Sequence, residues 1–388
     1  MRYQIFCTAA FAGTLLLAAH AEAQPAPQPQ PQPQDCTGNS GVDWNQQVKA
    51  CTALIEAAQG SPQDRAKVYD RRASAYFALG DDDRAMGDYD AAIRLDPNLA
   101  AAYSGRGDIY IMDREDPDRA IAEYDQAIQH DAKHVDAYVG RSSAYDQKGD
   151  FDHALADANE AVRLDPKSAR AHETRGQAYG YRGDIERALA DYDEAIRIDP
   201  KAANAYNLRG LAYMEKGDFA RAITAFSEAV QINPQAMMIA YFNRGRANLF
   251  AGALPKAIED YKRALAMTPG YPYTALWLDI AEARSKVPST LPQAIAKLNM
   301  KEWPAPVIRM YLGQMTPAAV LAAADDPNAA KKIAQVCEAN FYSGEWALRQ
   351  GAKDEAARQF SVAARDCPKT LIEANAAVIE LKPLGGTP

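Results

Sequence analysis

Two consecutive segments decide the fold: residues 167–200 read KSARAHETRGQAYGYRGDIERALADYDEAIRIDP, and residues 201–234 read KAANAYNLRGLAYMEKGDFARAITAFSEAVQINP. Each segment closes on Asp or Asn followed by proline, and the prolines at 166, 200 and 234 are 34 residues apart. A fixed period of this length indicates a repeat array, in which each unit packs only against its neighbours. The 388 residues therefore need not divide into several independent cores.

Six units between residues 66 and 271 carry the same marks. A small residue stands early in each unit, at Ala73, Gly107, Ser142, Gly176, Gly210 and Gly245. An alanine follows the turn, and an aromatic residue lies four positions later in five units, at Tyr89, Tyr124, Tyr192, Phe226 and Tyr261. Helices of about 14 residues are marginal alone in water, so they persist by packing. The small residues let two helices approach closely, and the rings fill the volume between them.

This spacing resembles that of the tetratricopeptide repeat (TPR) family. The resemblance implies an all-α fold, a right-handed superhelix (α-solenoid) of stacked antiparallel helix pairs. Turn glycines such as Gly80 and Gly149 then end the first helix of a pair, and proline ends the second. The predicted organisation is an N-terminal capping helix region at 36–65, six TPR repeats at 66–271, an irregular helical region at 272–336, a further TPR at 337–370, and a polar C-terminal helix and tail at 371–388.

Residues 272–382 resemble the C-terminal half of the NlpI-type periplasmic TPR lipoproteins. The resemblance is carried by YTALWLDIAEAR at 273–284, EWPAPVIRMYLGQMTPAAVLAA at 302–323 and CEANFYSGEWALRQG at 337–351. It implies a scaffold that dimerises and docks envelope proteases and cell-wall hydrolases. The lipid-bearing cysteine of those proteins has no counterpart here, since Cys7 lies inside the apolar N-terminal segment.

The N-terminus predicts export. Arg2 precedes an uncharged stretch from Ile5 to Ala19, and Ala21 and Ala23 supply the small residues that a signal peptidase reads. A transmembrane anchor is the alternative, but a bilayer core requires about 20 apolar residues. We therefore expect a signal peptide at 1–23, cleavage near Ala23, a periplasmic or secreted chain, and no membrane span. Residues 24–35 alternate Pro and Gln, a composition that favours an extended linker.

Four cysteines lie beyond the signal peptide, at Cys36, Cys51, Cys337 and Cys367. An exported protein permits disulfides, and four cysteines allow three connectivities. The short sequence distance favours a disulfide between Cys36 and Cys51. Closing a loop of this length stabilises the folded chain by about 3 kcal/mol in the chain-entropy model. In the TPR frame, the other two cysteines open and close one helix pair, which makes their pairing reasonable. Buried free thiols are the alternative.

One position departs from the usual TPR pattern, because arginine stands where leucine is common. The arginines are Arg72, Arg106, Arg141, Arg175, Arg209 and Arg244. Acids recur on the facing helix at Asp88, Glu123, Asp157, Asp191 and Asp260, with Ala225 breaking the series. A buried guanidinium needs a carboxylate partner, so we interpret the series as an internal ladder of ion pairs. A stripe that binds anionic ligands is the alternative.

Neither the composition nor the motifs of the sequence predict nucleic-acid binding, metal binding or catalysis. The net charge is −8 without a basic cluster, which argues against a nucleic-acid partner. His130, His134, His153 and His172 fall at different repeat positions, so they need not converge on a metal. Phosphate loops, nucleophile elbows and His-Glu-x-x-His helices are absent from the sequence. We expect no catalytic residue, cofactor or metal; an enzyme with a cryptic site around His172 and Glu173 is the least favoured hypothesis.

A solenoid offers a concave wall built from its first helices. We predict a non-enzymatic scaffold or adaptor that binds envelope proteins or peptides on this wall. The candidate peptide-binding residues are Tyr181, Asn207, Met214, Phe242, Asn243 and Arg246. The alternative is a structural protein that forms a homodimer through exposed apolar faces around Trp277, Trp303 and Trp346.

Overall fold

The computed structural model describes residue 36 and residues 43–112, 116–234, 237–369 and 371–386. The predicted signal peptide and the Pro/Gln linker lie outside these residues. The described residues form 20 α-helices and contain no β-strand. The predicted all-α fold of stacked antiparallel helix pairs is therefore confirmed. Within the same residues, no helix is both long and apolar enough to cross a bilayer.

The chain divides into two compact units, one ending at Ala178 and one beginning at Tyr179. The first contains α1 Trp44–Glu56, α2 Pro62–Ala78, α3 Asp82–Leu95, α4 Ala100–Met112, α5 Pro117–His130, α6 Val135–Lys148 and α7 Phe151–Leu164. Helix α8, Ala169–Tyr181, contains the boundary. Helices α2 and α3, α4 and α5, and α6 and α7 pack as pairs, and α2, α4 and α6 are neighbours in one layer.

The second unit repeats this arrangement and then becomes irregular. Its helices are α9 Ile185–Ile198, α10 Ala203–Glu215, α11 Phe219–Ile232, α12 Met238–Phe250, α13 Leu254–Met267, α14 Pro272–Arg284, α15 Leu291–Ala294, α16 Ala305–Tyr311, α17 Pro317–Ala323, α18 Ala329–Arg349, α19 Lys353–Asp366 and α20 Ile372–Leu381. The pairs are α10 with α11, α12 with α13, and α18 with α19. Helices α10, α12, α14 and α18 follow one another in the layer of first helices.

The second helices of the pairs begin in the same way. An aspartate caps each of five helices and accepts a hydrogen bond from the backbone N–H three residues later; the caps are Asp81, Asp116, Asp150, Asp184 and Asp218. That later residue is arginine or histidine, and its side chain pairs with the capping carboxylate. Before α3, α7, α9 and α11, the turn uses a glycine with positive φ, for example 77° at Gly149, as the sequence predicts.

Close contacts between a glycine and an aromatic ring hold four of the helix pairs together. A Cβ atom added to Gly210 would lie 2.5 Å from the ring of Phe226, and one added to Gly344 would lie 2.6 Å from the ring of Phe360. Gly107 with Tyr124, at 2.7 Å, and Gly245 with Tyr261, at 2.8 Å, repeat the contact. The predicted roles of the early small residue and the later ring are therefore confirmed.

Gly210→Ala is expected to destabilise the chain by about 1–3 kcal/mol, because the fully buried ring of Phe226 has no room to retreat. Gly180→Ala is the matched control, since the nearest atom to its added Cβ, the hydroxyl of Tyr192, is 3.9 Å away. Alanine there is expected to be neutral or to stabilise by up to about 1 kcal/mol. Urea unfolding measures both; equal effects of the two substitutions would refute the packing argument.

The four cysteines form two pairs at disulfide distance. Cys36 bonds Cys51 with a Cα–Cα distance of 4.9 Å, and Cys337 bonds Cys367 at 5.2 Å. Both distances suit a disulfide without backbone movement. The second pair joins α18 to the residue that follows α19, so it staples one helix pair.

The C-terminal helix differs from the expectation of a polar end. On α20, Glu373 and Glu380 are only 3% and 7% exposed, and Ala376, Ala377 and Leu381 are buried. The expectation was wrong because the two charged side chains point inward, where Tyr342 and Arg284 donate hydrogen bonds to them. Helix α20 therefore closes the core of the second unit.

Candidate functional site

A row of arginines joins successive helix pairs. Arg141 donates two hydrogen bonds of 2.7 Å to Asp157 on the second helix of its own pair. It donates a third, of 2.5 Å, to Asp125 on the second helix of the preceding pair. Its guanidinium also lies 5.6 Å from the ring centroid of Tyr138. One arginine thus connects three helices, with a bidentate geometry that lysine does not reproduce.

Four other arginines repeat this arrangement: Arg72 with Asp88 and Thr52, Arg106 with Glu123 and Asp90, Arg209 with Glu228 and Asp193, and Arg244 with Asp260 and Ser227. Glu228 takes over where Ala225 interrupts the acid series. The hydrogen bond with Asp88 raises the pKa of Arg72. The ladder interpretation is confirmed for these rungs, and their guanidinium groups are already bound to acceptors of the chain.

The candidate peptide-binding residues lie along the first helices of the second unit. Tyr181 ends α8 and is half-buried. Asn207 on α10 accepts a 3.1 Å hydrogen bond from the side-chain amide of Asn243 on α12. The Oδ1 atom of Asn243 has no hydrogen-bond partner within the described residues. Two neighbouring first helices are therefore joined by an amide pair that keeps one acceptor unused.

An aromatic cluster lies beside this amide pair. Phe242 on α12 packs 5.8 Å from Tyr261 and 6.3 Å from Trp277, centroid to centroid. The guanidinium of Arg246, one turn further along α12, lies 5.4 Å from the centroid of Trp277. The indole N–H of Trp277 has no hydrogen-bond acceptor in the described part of the chain. The guanidinium of Arg246, the ring of Trp277 and the amide of Asn243 therefore lie close together on α12 and α14.

Five of the six candidate peptide-binding residues are buried. Asn207, Met214, Phe242, Asn243 and Arg246 are each at most 3% exposed. The structure brings these five together, but it does not display their side chains to solvent. Their contact with a peptide stays a prediction.

Two pairs of glutamates, each with one member on α18 and one on α20, were not predicted from the sequence. Glu338 and Glu345 are seven residues apart on α18, and Glu373 and Glu380 have the same spacing on α20. Arg284 donates hydrogen bonds of 2.7–2.9 Å to both Glu345 and Glu380. This pair of carboxylates therefore shares one guanidinium, and burial still raises the pKa of Glu345 to about 7.

The side chains that donate hydrogen bonds to the other pair are neutral, although the charge of Arg246 acts on Glu373. Glu338 accepts 2.7 Å hydrogen bonds from the hydroxyl of Tyr273 and the indole of Trp303. Glu373 accepts a 3.0 Å bond from Tyr342. Burial, together with the neighbouring charge of Glu373, raises the pKa of Glu338 to about 8, and burial also raises the pKa of Glu373. The carboxyl group of Glu338 is therefore mostly protonated near neutral pH.

The histidines make structural contacts. His153 pairs with Asp150 at 2.8 Å and stacks on Tyr145, in the position that arginine occupies in other pairs. His130 stacks on Tyr103, and the ring of His172 lies 3.2 Å from the carbonyl oxygen of Pro166. Across the described ranges, no group of three or more His, Cys, Asp or Glu side chains is arranged to hold a metal ion.

Two family models match the repeats of this geometry. One, described as "Tetratricopeptide repeat", matches residues 112–169, 174–237 and 235–272. The other, described as "TPR repeat", matches residues 73–113. Together they cover slightly more than half of the 388 residues. The chain is a tetratricopeptide repeat protein.

Solved structures agree with this fold. The TPR chain is similar to a chain of the Cut9–Hcn1 hetero-tetramer of the APC/C, with a TM-score of 0.56, 16% identity, and coverage of 70% of this chain and 52% of that one. It is also similar to MamA, with 27% identity, a TM-score of 0.35, and coverage of 42% and 93%. A third match is YrrB, titled "a TPR protein with an unusual peptide-binding site", at 24% identity, a TM-score of 0.35, and coverage of 50% and 96%.

Membership in the TPR family indicates the general role of the chain. TPR arrays are scaffolds suited to protein interaction, they bind protein or peptide partners, and they are generally non-enzymatic. The apolar face proposed for a homodimer is corrected in one respect. Trp277 is fully buried against Phe242, Phe250 and Phe341, so it does not belong to an exposed face. The reason is that α14 continues the layer of first helices between α12 and α18.

Proposed function

We propose that this TPR protein is a non-enzymatic periplasmic scaffold that binds envelope proteins or peptides through the first helices of its repeats. The export features of residues 1–23 and the resemblance of residues 272–382 to NlpI-type proteins support the location and the class of partner. The two cysteine pairs at disulfide distance suit an oxidising compartment.

The observation that carries the proposal is the joined amide pair on neighbouring first helices. Asn207 and Asn243 are bonded to each other, and Oδ1 of Asn243 keeps an unused acceptor. A buried acceptor without a donor is unfavourable by about 1–3 kcal/mol. Asn243 and Trp277 are buried in this structure, so a peptide backbone N–H supplies the missing donor only when the contact between α10 and α12 opens; the guanidinium of Arg246 and the ring of Trp277 are then an adjacent contact for a peptide side chain. Recognition of backbone groups suits a scaffold that takes more than one partner.

Replacing both amides tests this proposal. The Asn207→Leu/Asn243→Leu variant keeps the number and branching of side-chain heavy atoms but removes every amide hydrogen bond, so we expect at least a ten-fold loss of the partners captured from a periplasmic extract. Asn98→Leu, at an exposed loop position, is the control and is expected to capture as the native chain does. Quantitative crosslinking and mass spectrometry measure the capture, and circular dichroism verifies the fold. Undiminished capture by the double variant, or absence of the chain itself from the periplasmic extract, would count against the proposal.

A further inference from the structure

Three aspartates of the first unit occupy successive first helices at a constant interval. Asp70 lies on α2, Asp108 on α4 and Asp146 on α6, each 38 residues after the last. The interval is one repeat plus one helical turn. Because α2, α4 and α6 are neighbours in one layer, the three positions form an oblique row across it, here named the aspartate diagonal.

Two members of the row, Asp70 and Asp108, act on the same tyrosine. The hydroxyl of Tyr89 lies 3.2 Å from that of Ser74, and burial raises the pKa of Tyr89 with further contributions from the charges of Asp70 and Asp108. Tyr124 donates a 2.7 Å hydrogen bond to Asp108. Tyr89 on α3 and Tyr124 on α5 therefore lie close to this row, and the bond that Tyr124 donates to Asp108 is a neutral one.

Cations of the unit do not neutralise the diagonal. Arg170, whose charge acts on Asp108, donates its hydrogen bond to Asp136, at 3.3 Å. Among the residues that the structure describes, no lysine, arginine or histidine forms an ion pair with any of the three aspartates. The acidic row is thus a group of carboxylates without a direct ion pair, although the charges of Arg71 and Arg170 act on Asp70 and Asp108, whereas each of the ladder arginines Arg72, Arg106 and Arg141 is bonded to a carboxylate.

Asp146 gives an independent reason to expect a ligand. It is only 5% exposed, and its Oδ1 atom accepts no hydrogen bond from the described part of the chain. Burial raises its pKa to about 8, and burial raises that of Asp70 to about 6. An ionised carboxylate in such a place is unfavourable unless a cation accompanies it, and a bound cation restores the charged form.

We propose that the aspartate diagonal binds a cationic segment of a partner protein, with a lysine or arginine side chain for each aspartate. The distance between successive aspartates determines the spacing of the basic residues in the segment. Neighbouring helix axes lie about 8–10 Å apart and one turn rises about 5.4 Å, so successive positions are separated by about 10 Å. A polyproline II chain brings every third side chain to the same face after about 9 Å. The matching segment therefore carries a basic residue at every third position.

This inference rests on the proposed function, since it names the chemistry of one class of partner for the first unit. The probe is a fluorescent 12-residue peptide with lysine at every third position and alanine and proline between. Its control has the same composition with the four lysines adjacent. Both are titrated against the purified full chain by fluorescence anisotropy at low and high salt. We expect the spaced peptide to bind at least ten-fold more tightly than the clustered one, and more weakly as the salt rises.

Two variants of equal net charge distinguish binding by the aspartate diagonal from attraction by the overall negative charge of the chain. Asp70→Asn/Asp108→Asn/Asp146→Asn is expected to reduce the affinity for the spaced peptide by at least ten-fold. The matched variant Asp83→Asn/Asp118→Asn/Asp152→Asn changes exposed residues in the first turns of α3, α5 and α7, and is expected to bind nearly as the native chain does. Circular dichroism verifies that both are folded.

Equal losses in the two variants, equal binding of the two peptides, or no binding at all would overturn the proposal. If the Asn207 and Asn243 experiment still succeeds in that case, the scaffold function stands and only the assignment of the diagonal fails.

Discussion

The Glu338→Gln variant is expected to be more stable than the native chain at pH 8.5 and equally stable at pH 4. The carboxyl group of Glu338 is buried beside Glu373 and has a folded-state pKa of about 8, against an ordinary value of 4.5. The fold therefore favours the protonated form. Its contribution to stability is complete below about pH 4.5 and is lost as the pH rises through about 8. Glutamine stays neutral and accepts the same bonds from Tyr273 and Trp303.

The expected difference at pH 8.5 is on the order of 5 kcal/mol, since the pKa of Glu338 is raised from 4.5 to about 8 and one pKa unit corresponds to about 1.4 kcal/mol. Glu345 and Glu373, whose pKa values are also raised, leave part of the pH dependence in the variant. Thermal unfolding between pH 4 and 9 measures the effect, with Glu259→Gln at an exposed position as control. Parallel stability curves for the native chain and the Glu338 variant would show that this carboxyl group does not titrate as described.

Removing one rung of the arginine ladder is expected to destabilise the chain by a smaller amount. Arg141→Leu leaves Asp157, which is 7% exposed, without its two hydrogen bonds, and also releases Asp125 on the preceding pair. Breaking a buried ion pair from one side costs about 3–5 kcal/mol. Because the side chain of Arg141 is 19% exposed, we expect about 2–3 kcal/mol.

The control for the ladder is the double variant Arg141→Leu/Asp157→Asn, which removes the stranded charge and is expected to recover part of the loss. Arg94→Leu, at an exposed position of the same unit, is expected to change the stability by less than about 0.5 kcal/mol. Denaturant unfolding of the four proteins gives the comparison. A loss no larger than that of Arg94→Leu would mean that the rung contributes nothing beyond an exposed ion pair.

The repeat units could be predicted from sequence because their contacts are local and periodic. Gly210 and Phe226 lie on the two helices of one pair, and the same spacing recurs at Gly245 with Tyr261. The acids of the arginine ladder could be predicted from the same period. The second acceptors were missed although a signal exists, since Asp90, Asp125 and Asp193 each stand two residues after a ladder acid. Finding them requires the geometry between successive pairs rather than within one.

The irregular end of the chain was harder to predict because its contacts join distant segments. Tyr273 meets Glu338 and Arg284 meets Glu380, across separations of 65 and 96 residues. A helix with glutamates looks polar in sequence, and only the packing of α20 on α18 shows that these groups face inward. The burial of Trp277 has the same cause.

Site-specific photo-crosslinking tests the central claim, that the first helices bind the partner. A benzophenone amino acid is placed at Tyr181, half-buried at the end of a first helix, or at Lys262, exposed on the second helix α13. After irradiation of cells, the account predicts discrete crosslinked partners at position 181 and none at 262. Crosslinks of equal yield at the two positions, or crosslinks confined to 262, would contradict it.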